Sequence, residues 1–249
     1  MSNESPESTL PEPSGEPRSA QRNGKATPKA QLTLMVVDDH PAVRLGIVRL
    51  LESQPDFKVQ EICIDAEGAV AHALARRVDV VVVDYQLPVH NGLWACRQLK
   101  RAPDPPAVVI FSAFADDHLA ACCAVAEADA VLNKGVLGSE LCDVIRAVAR
   151  GRRFVARVSP PLADMLRRRL NDGEQIVFGM MLAAIPRQEI TRALGISERE
   201  LGARAEAMLR TLEAIPGEAS STARHRGRVN LSLAPRRDPF DIARHLEQT

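Results

Sequence analysis

No stretch of the sequence approaches the roughly 18 consecutive apolar residues that a membrane-spanning helix requires, so no transmembrane segment is expected. The first thirty residues lack the apolar core of a secretory signal, and a cytoplasmic location is expected. Five cysteines stand at 63, 96, 122, 123 and 142, without a CxxC pair. That spacing argues for reduced thiols and against a zinc site. Lysine is scarce: five of the 32 basic residues are lysine, and none follows Lys134. There is no internal repeat, and no strand-like run after Gly151.

At 249 residues and 45% hydrophobic, the chain can form two modest domains with packed cores. Its formal net charge of zero hides an asymmetry. Residues 31–150 hold 16 acidic and 11 basic side chains, whereas residues 151–249 hold 12 acidic and 17 basic. An acidic half joined to a basic half points to a control domain beside a polyanion-facing one.

Residues 1–30 contain five prolines with many Ser and Glu, and are expected to form a disordered tail. From Leu32 short apolar runs, most rich in Val and Ile, recur at 32–37, 57–63, 78–83, 107–111 and 128–132. Helical patterns alternate with them at 41–53, 66–76, 91–101, 116–126 and 138–150. Strands this apolar are buried on both faces, as in a doubly wound parallel sheet. This domain is placed at 31–152. A connector, 153–168, leads through "SPPLADMLRRRL" into a helical turn. Three helical patterns, 173–183, 187–194 and 198–213, define an all-α domain at 169–215. A basic extension, 216–249, carries a short helical pattern near 238–246.

In a doubly wound sheet, ligands bind at the carboxyl ends of the strands. Those ends carry Asp38 and Asp39, Asp84, Ser112 and Lys134. Three carboxylates gathered together need a cation among them, and an open oxygen-only site suits Mg²⁺. A carboxylate beside that ion can take a phosphoryl group as an aspartyl phosphate.

The stretches "VVDDHPAVRLGIVRLLE", "VVVDYQLPVHNGL", "VVIFSAF" and "AVLNKG" resemble a receiver domain of the NarL/LuxR-type response regulators, a flavodoxin-like fold with five parallel strands. The resemblance covers residues 32–151 and includes Pro88 and Gly92. It implies Asp84 as phosphoacceptor. It also implies Mg²⁺ held by Asp39, Asp84 and the Gln86 backbone carbonyl, with Asp38 assisting through water. Lys134 and Ser112 would contact the phosphoryl group. One position departs: the switch aromatic expected three residues before the lysine is Val131. Activation is then expected through a smaller shift of the fourth helix and its preceding loop, or to depend less on phosphorylation.

Residues 170–214 resemble the LuxR-type helix-turn-helix. "LGIS" supplies the turn, Ser197 and Glu200 have the spacing of a capping box, and an apolar stripe runs through Leu201, Ala205, Met208 and Leu209. The expected core is Val177, Met181, Ile185, Ile190, Leu194, Ile196, Leu201, Met208 and Leu212. The family usually has threonine, lysine and often histidine where this chain has Glu200, Gly202 and Arg204. Glu200 repels phosphate, and Gly202 costs about 1 kcal/mol of helix stability relative to alanine. The remaining donors, Arg187, Arg192, Arg199, Arg204 and Arg210, are expected to contact phosphates, which gives affinity without sequence.

The expectation is therefore a two-component response regulator, not an enzyme. A histidine kinase would phosphorylate Asp84, and the chain would bind DNA as a homodimer, with no membrane partner. The alternative is an atypical regulator whose degenerate helix-turn-helix serves protein interaction or non-specific DNA binding. A free-standing phosphohydrolase would need a second acid/base carboxylate beside Asp84, and the sequence offers no clear candidate.

Overall fold

A computed structural model describes residues 31–136, 138–154, 156 and 158–215. The N-terminal tail and the basic extension, with its pattern near 238–246, lie outside the described residues.

Five strands, β1 (Leu32–Val37), β2 (Phe57–Cys63), β3 (Val80–Asp84), β4 (Ala107–Ser112) and β5 (Ala130–Asn133), form a parallel sheet of order β2-β1-β3-β4-β5. They alternate with α1 (Pro41–Glu52), α2 (Ala66–Ala75), α3 (Gly92–Lys100), α4 (Asp117–Val125) and α5 (Gly138–Ala149). This is the flavodoxin-like order, whose crevice opens where β1 and β3 turn in opposite directions. The valine runs are the cause. Every residue of β3, "VVVVD", is buried, so helices must cover both faces. Leu34, Val36, Val80, Val82 and Val109 pack under α1 and α5. Met35, Val37, Val81, Val83 and Ile110 pack under α2, α3 and α4.

Short polar side chains start several helices. Asp65, Asn91 and Asp116 each accept the backbone N–H three residues on, satisfying a donor that the first turn leaves free.

Beyond the sheet lie α6 (Pro160–Arg169), α7 (Asp172–Leu182), α8 (Arg187–Leu194) and α9 (Glu198–Glu213). The stretch read as a connector thus contains a full helix, because two prolines suit the first turn of one. Asn171 and Glu174 form a reciprocal capping box at α7. Gly195 closes α8 in the left-handed region, at φ +64°. Of the expected helical core, Val177, Met181, Ile190, Leu201, Met208 and Leu212 are buried, while Ile185, Leu194 and Ile196 pack at its margin.

The helix α4 differs from an ordinary surface helix. Leu119 through Val125 are all buried. A helix apolar around its whole circumference needs cover on every side. The sheet supplies one side, and α7 and α9 supply the other. One apolar cluster consequently runs from β4 through α4 to Leu201, Ala205, Met208 and Leu212 of α9.

Candidate functional site

The crevice collects the residues at the strand ends. Asp38 follows β1 and is held by its own loop, its Oδ1 accepting the His40 N–H at 2.8 Å. The Arg44 guanidinium donates to the Asp38 carbonyl at 2.7 Å. Asp84 ends β3, the central strand. Gly92, at the start of α3, must be glycine: a Cβ there would stand 2.3 Å from the Asp84 carbonyl oxygen. The close approach lets α3 begin directly behind the phosphoacceptor candidate. Lys134 is fixed by its backbone N–H, which donates to the Ser112 carbonyl at 2.8 Å.

A cation stands among these carboxylates. Lys134 Nζ lies 2.7 Å from Asp38 Oδ2 and 2.7 Å from Asp84 Oδ2. Asp38 and Asp84 are 1% and 4% exposed, so their charges are costly without a partner. Burial works to push Lys134 down, but the hydrogen bonds and charges of both aspartates prevail and hold its ammonium above the ordinary lysine value. Asp39 is exposed and pairs with His40 Nδ1 at 2.7 Å. The side chains of Asp38, Asp39, His40 and Asp84 place ligand atoms within 4.8 Å of one another. That oxygen-rich, partly open donor set fits a hard divalent cation. Gln86 reaches the cluster through its N–H, 3.3 Å from Asp84 Oδ1.

Ser112 is fully buried, and its Oγ accepts the Phe114 N–H at 3.1 Å. Val131 is also fully buried, packed in the core where the resemblance would place a switching ring. Of the two rings beside Ser112, Phe111 is buried in β4 and Phe114 is 53% exposed.

A second constellation joins α9 to the face made by α3 and α4. Arg97 of α3 donates to the Gly202 carbonyl at 3.3 Å and to Glu206 at 3.1 Å. Arg101 also pairs with Glu206. His118 of α4 lies 2.9 Å from the Leu212 carbonyl. Arg187 of α8 pairs with Glu127 at 2.8 Å. Glu127 sits at φ +66°, unusual for a residue with a Cβ. Burial pushes the Arg97 guanidinium down from its ordinary value, with Glu206 opposing.

These contacts relocate several residues singled out in the sequence. Gly202 and Glu206 lie on the face of α9 turned toward α3. Arg187 is engaged by Glu127, and Arg204 pairs with Glu200 at 2.6 Å. Arg192, Arg199 and Arg210 are exposed. Ser197 accepts the Glu200 N–H at 3.1 Å, so half of the expected capping box forms. The other half is lost because the Glu200 carboxylate turns to Arg204.

Arg97, Arg101, Glu127, His118 and Glu206 were not identified from the sequence, since an exposed charge on a helix carries no address. One signal was available: "LAACCAVA" is apolar at every helical phase.

Residues 34–146 match the family of response regulator receiver domains. The chain is 30% identical over 181 residues to the DNA-binding transcriptional activator DevR/DosR of Mycobacterium tuberculosis, covering 67% of this chain and 81% of that protein. It is 34% identical over 125 residues to the response regulator UvrY of Escherichia coli, covering 50% of this chain. That match spans only 57% of UvrY, little more than half its length. The nitrate/nitrite response regulator NarL of Escherichia coli is 23% identical over 192 residues, covering 73% of this chain and 89% of NarL.

Proposed function

The chain belongs to the NarL/LuxR-type response regulators, and on that premise we propose that it is a two-component transcriptional regulator whose Asp84 accepts a phosphoryl group from a histidine kinase. The observation that carries this reading is the buried pair of carboxylates at the ends of β1 and β3, bridged by Lys134. Asp84 Oδ forms the new O–P bond as the P–N bond of a phosphohistidine breaks, and the nitrogen leaves with the electron pair. Lys134 would meet the arriving phosphoryl oxygens, and the Ser112 hydroxyl would donate to one of them. Asp38, Asp39 and Asp84 would hold Mg²⁺, which supplies charge neutralisation at those oxygens.

The described arrangement is the closed form of this regulator. The face of α9 bearing Gly202 and Glu206 is spent on Arg97 and Arg101, so a helix in this position cannot present that face to a DNA groove. Phosphorylation frees the C-terminal helices, which dimerise on DNA and contact phosphates through arginines of α8 and α9.

A second reading is favoured by Glu200, an exposed carboxylate where the resembled family has threonine: the helical unit serves a protein partner instead. Selection from a randomised duplex pool, with and without beryllofluoride and Mg²⁺ and at two salt concentrations, separates the two. An enriched motif that strengthens with beryllofluoride supports sequence-specific DNA binding. Salt-sensitive retention with neither motif nor beryllofluoride effect supports the protein partner. Loss of phosphorylation by a small phosphodonor in Asp84→Asn tests the acceptor, and undiminished labelling of that variant would remove Asp84 from the role.

A further inference from the structure

We propose that His118 is the positioning residue through which the phosphoacceptor site controls α9, taking over from the switching ring that Val131 replaces. This inference rests on the closed-form reading above and names the contact by which that form is released.

The last carbonyls of a helix have no donor within it. At the end of α9 the Leu212 carbonyl accepts the Ile215 N–H at 2.9 Å and faces His118 Nε2 at 2.9 Å. A side chain of the sheet domain is thus part of the C-terminal cap of α9. His118 is the second residue of α4, and its position is set by the segment that precedes it. Asp116 starts α4 by accepting the Leu119 N–H at 2.7 Å. The loop before Asp116 is tied to the two groups that would touch a phosphoryl oxygen. The Phe114 N–H donates to Ser112 Oγ, and the Ser112 carbonyl accepts the Lys134 N–H. Asn133 Nδ2 adds a third tie, to the Ala113 carbonyl at 3.0 Å.

A serine hydroxyl can donate its proton while still accepting an N–H. When the Ser112 hydroxyl turns to a phosphoryl oxygen it therefore keeps Phe114, and it draws residues 113–116 with it. The helix that follows is packed on every side, so it moves as a body rather than bending. His118, at the moving end, changes its grip on Leu212. No rotating ring is needed, consistent with a fully buried Val131 in that place. The ion pairs of Glu206 are different in kind. They stand on α3, which follows the Asp84 loop, and they hold the closed form without receiving motion from Ser112.

The two roles separate in one experiment on the full chain. Cys122 of α4 is buried, and burial, with the nearby carboxylates of Glu213 and Asp116, pushes its thiol up to about 12. Its labelling rate, read by mass spectrometry of the peptide, reports opening. In the unaltered protein beryllofluoride with Mg²⁺ raises that rate. Glu206→Gln raises the basal rate about fivefold, the value of one ordinary contact, and keeps the beryllofluoride increment. His118→Ala raises the basal rate similarly and loses the increment, at beryllofluoride occupancy matched by fluorine NMR. His118→Gln, whose amide can still donate to Leu212, restores it. Should His118→Ala fail to fold, His118→Phe makes the same comparison, since it removes the donor and keeps a ring. An increment in the donor-lacking variant equal to that of Glu206→Gln overturns the role of His118 and leaves the closed form standing. No increment in the unaltered protein overturns both.

Discussion

Replacing Lys134 with methionine leaves Asp38 and Asp84 buried with their shared cation gone. Removing one partner from a buried ion pair costs about 3–5 kcal/mol, because the remaining charge is left without solvent or counterion. With Lys134 Nζ 2.7 Å from both carboxylates, the substitution falls in that range. A domain typically has about 5–15 kcal/mol of stability in total, so the variant is substantially weakened but can still fold. A divalent cation should reverse the loss. Ligand at about one hundred times its Kd contributes roughly 2.7 kcal/mol through mass action. The ion must share the pocket with Lys134 in the unaltered chain, whereas in Lys134→Met it enters a pocket of uncompensated carboxylates. Urea unfolding followed by the single tryptophan, Trp94, gives the measurement, with and without Mg²⁺. Low stability without Mg²⁺ and a rescue several times that of the parent are expected. Equal Mg²⁺ stabilisation of the two proteins would refute the idea that the lysine ammonium is the cation that holds this cluster together.

Three further outcomes follow from the geometry. Glu206 is held below the ordinary glutamate value: burial works to raise it, and the Arg97 and Arg101 charges more than offset that. Its contribution to the closed form is therefore present above the free glutamate value, about 4.3, and is lost as pH falls through the lower folded value. Amide exchange in α9 should accelerate on acidification in the parent, and a flat profile shared with Glu206→Gln would count against the latch. Val89, in the β3–α3 loop, has φ +67° and is 90% exposed, so Val89→Asn should raise the melting temperature through about 1 kcal/mol of relieved backbone strain; a lower melting temperature would show that the loop needs valine. Arg187→Ala should speed labelling of Cys122 and weaken DNA retention only modestly, whereas a large loss of DNA retention with unchanged labelling would place Arg187 on DNA instead of on Glu127.

The sheet domain was legible because its signals are local. Each strand announces itself by a run such as "VVVVD", and each site residue stands where such a run stops. Gly92 stands out through the resemblance alone, and the structure gives the cause: no Cβ fits against the Asp84 carbonyl. The helix over Pro160–Arg169 was less legible, since paired prolines followed by three arginines resemble a connector as much as a first and last turn. Of the cover over α9, only the need for it is legible, in the all-round apolar run of α4; the residues that make it are not. Arg97, Arg101 and Glu206 are ordinary helix-surface charges until the fold brings residues more than one hundred positions apart into contact. Glu200 differs for a local reason: its capping spacing is real, but Arg204, one turn on, competes for the carboxylate.

The all-round apolar character of α4 also bears on how freely such proteins can exchange parts. A receiver whose fourth helix keeps a polar outer side can be cut from one output unit and grafted to another, as a self-sufficient module. Here the severed piece would bare the side of α4 that faces α7 and α9, and the matching strip on those helices would be bared as well. A chimera that joins at residue 152 therefore splits a single folding unit, and a workable graft must carry α4 along with the helices that cover it.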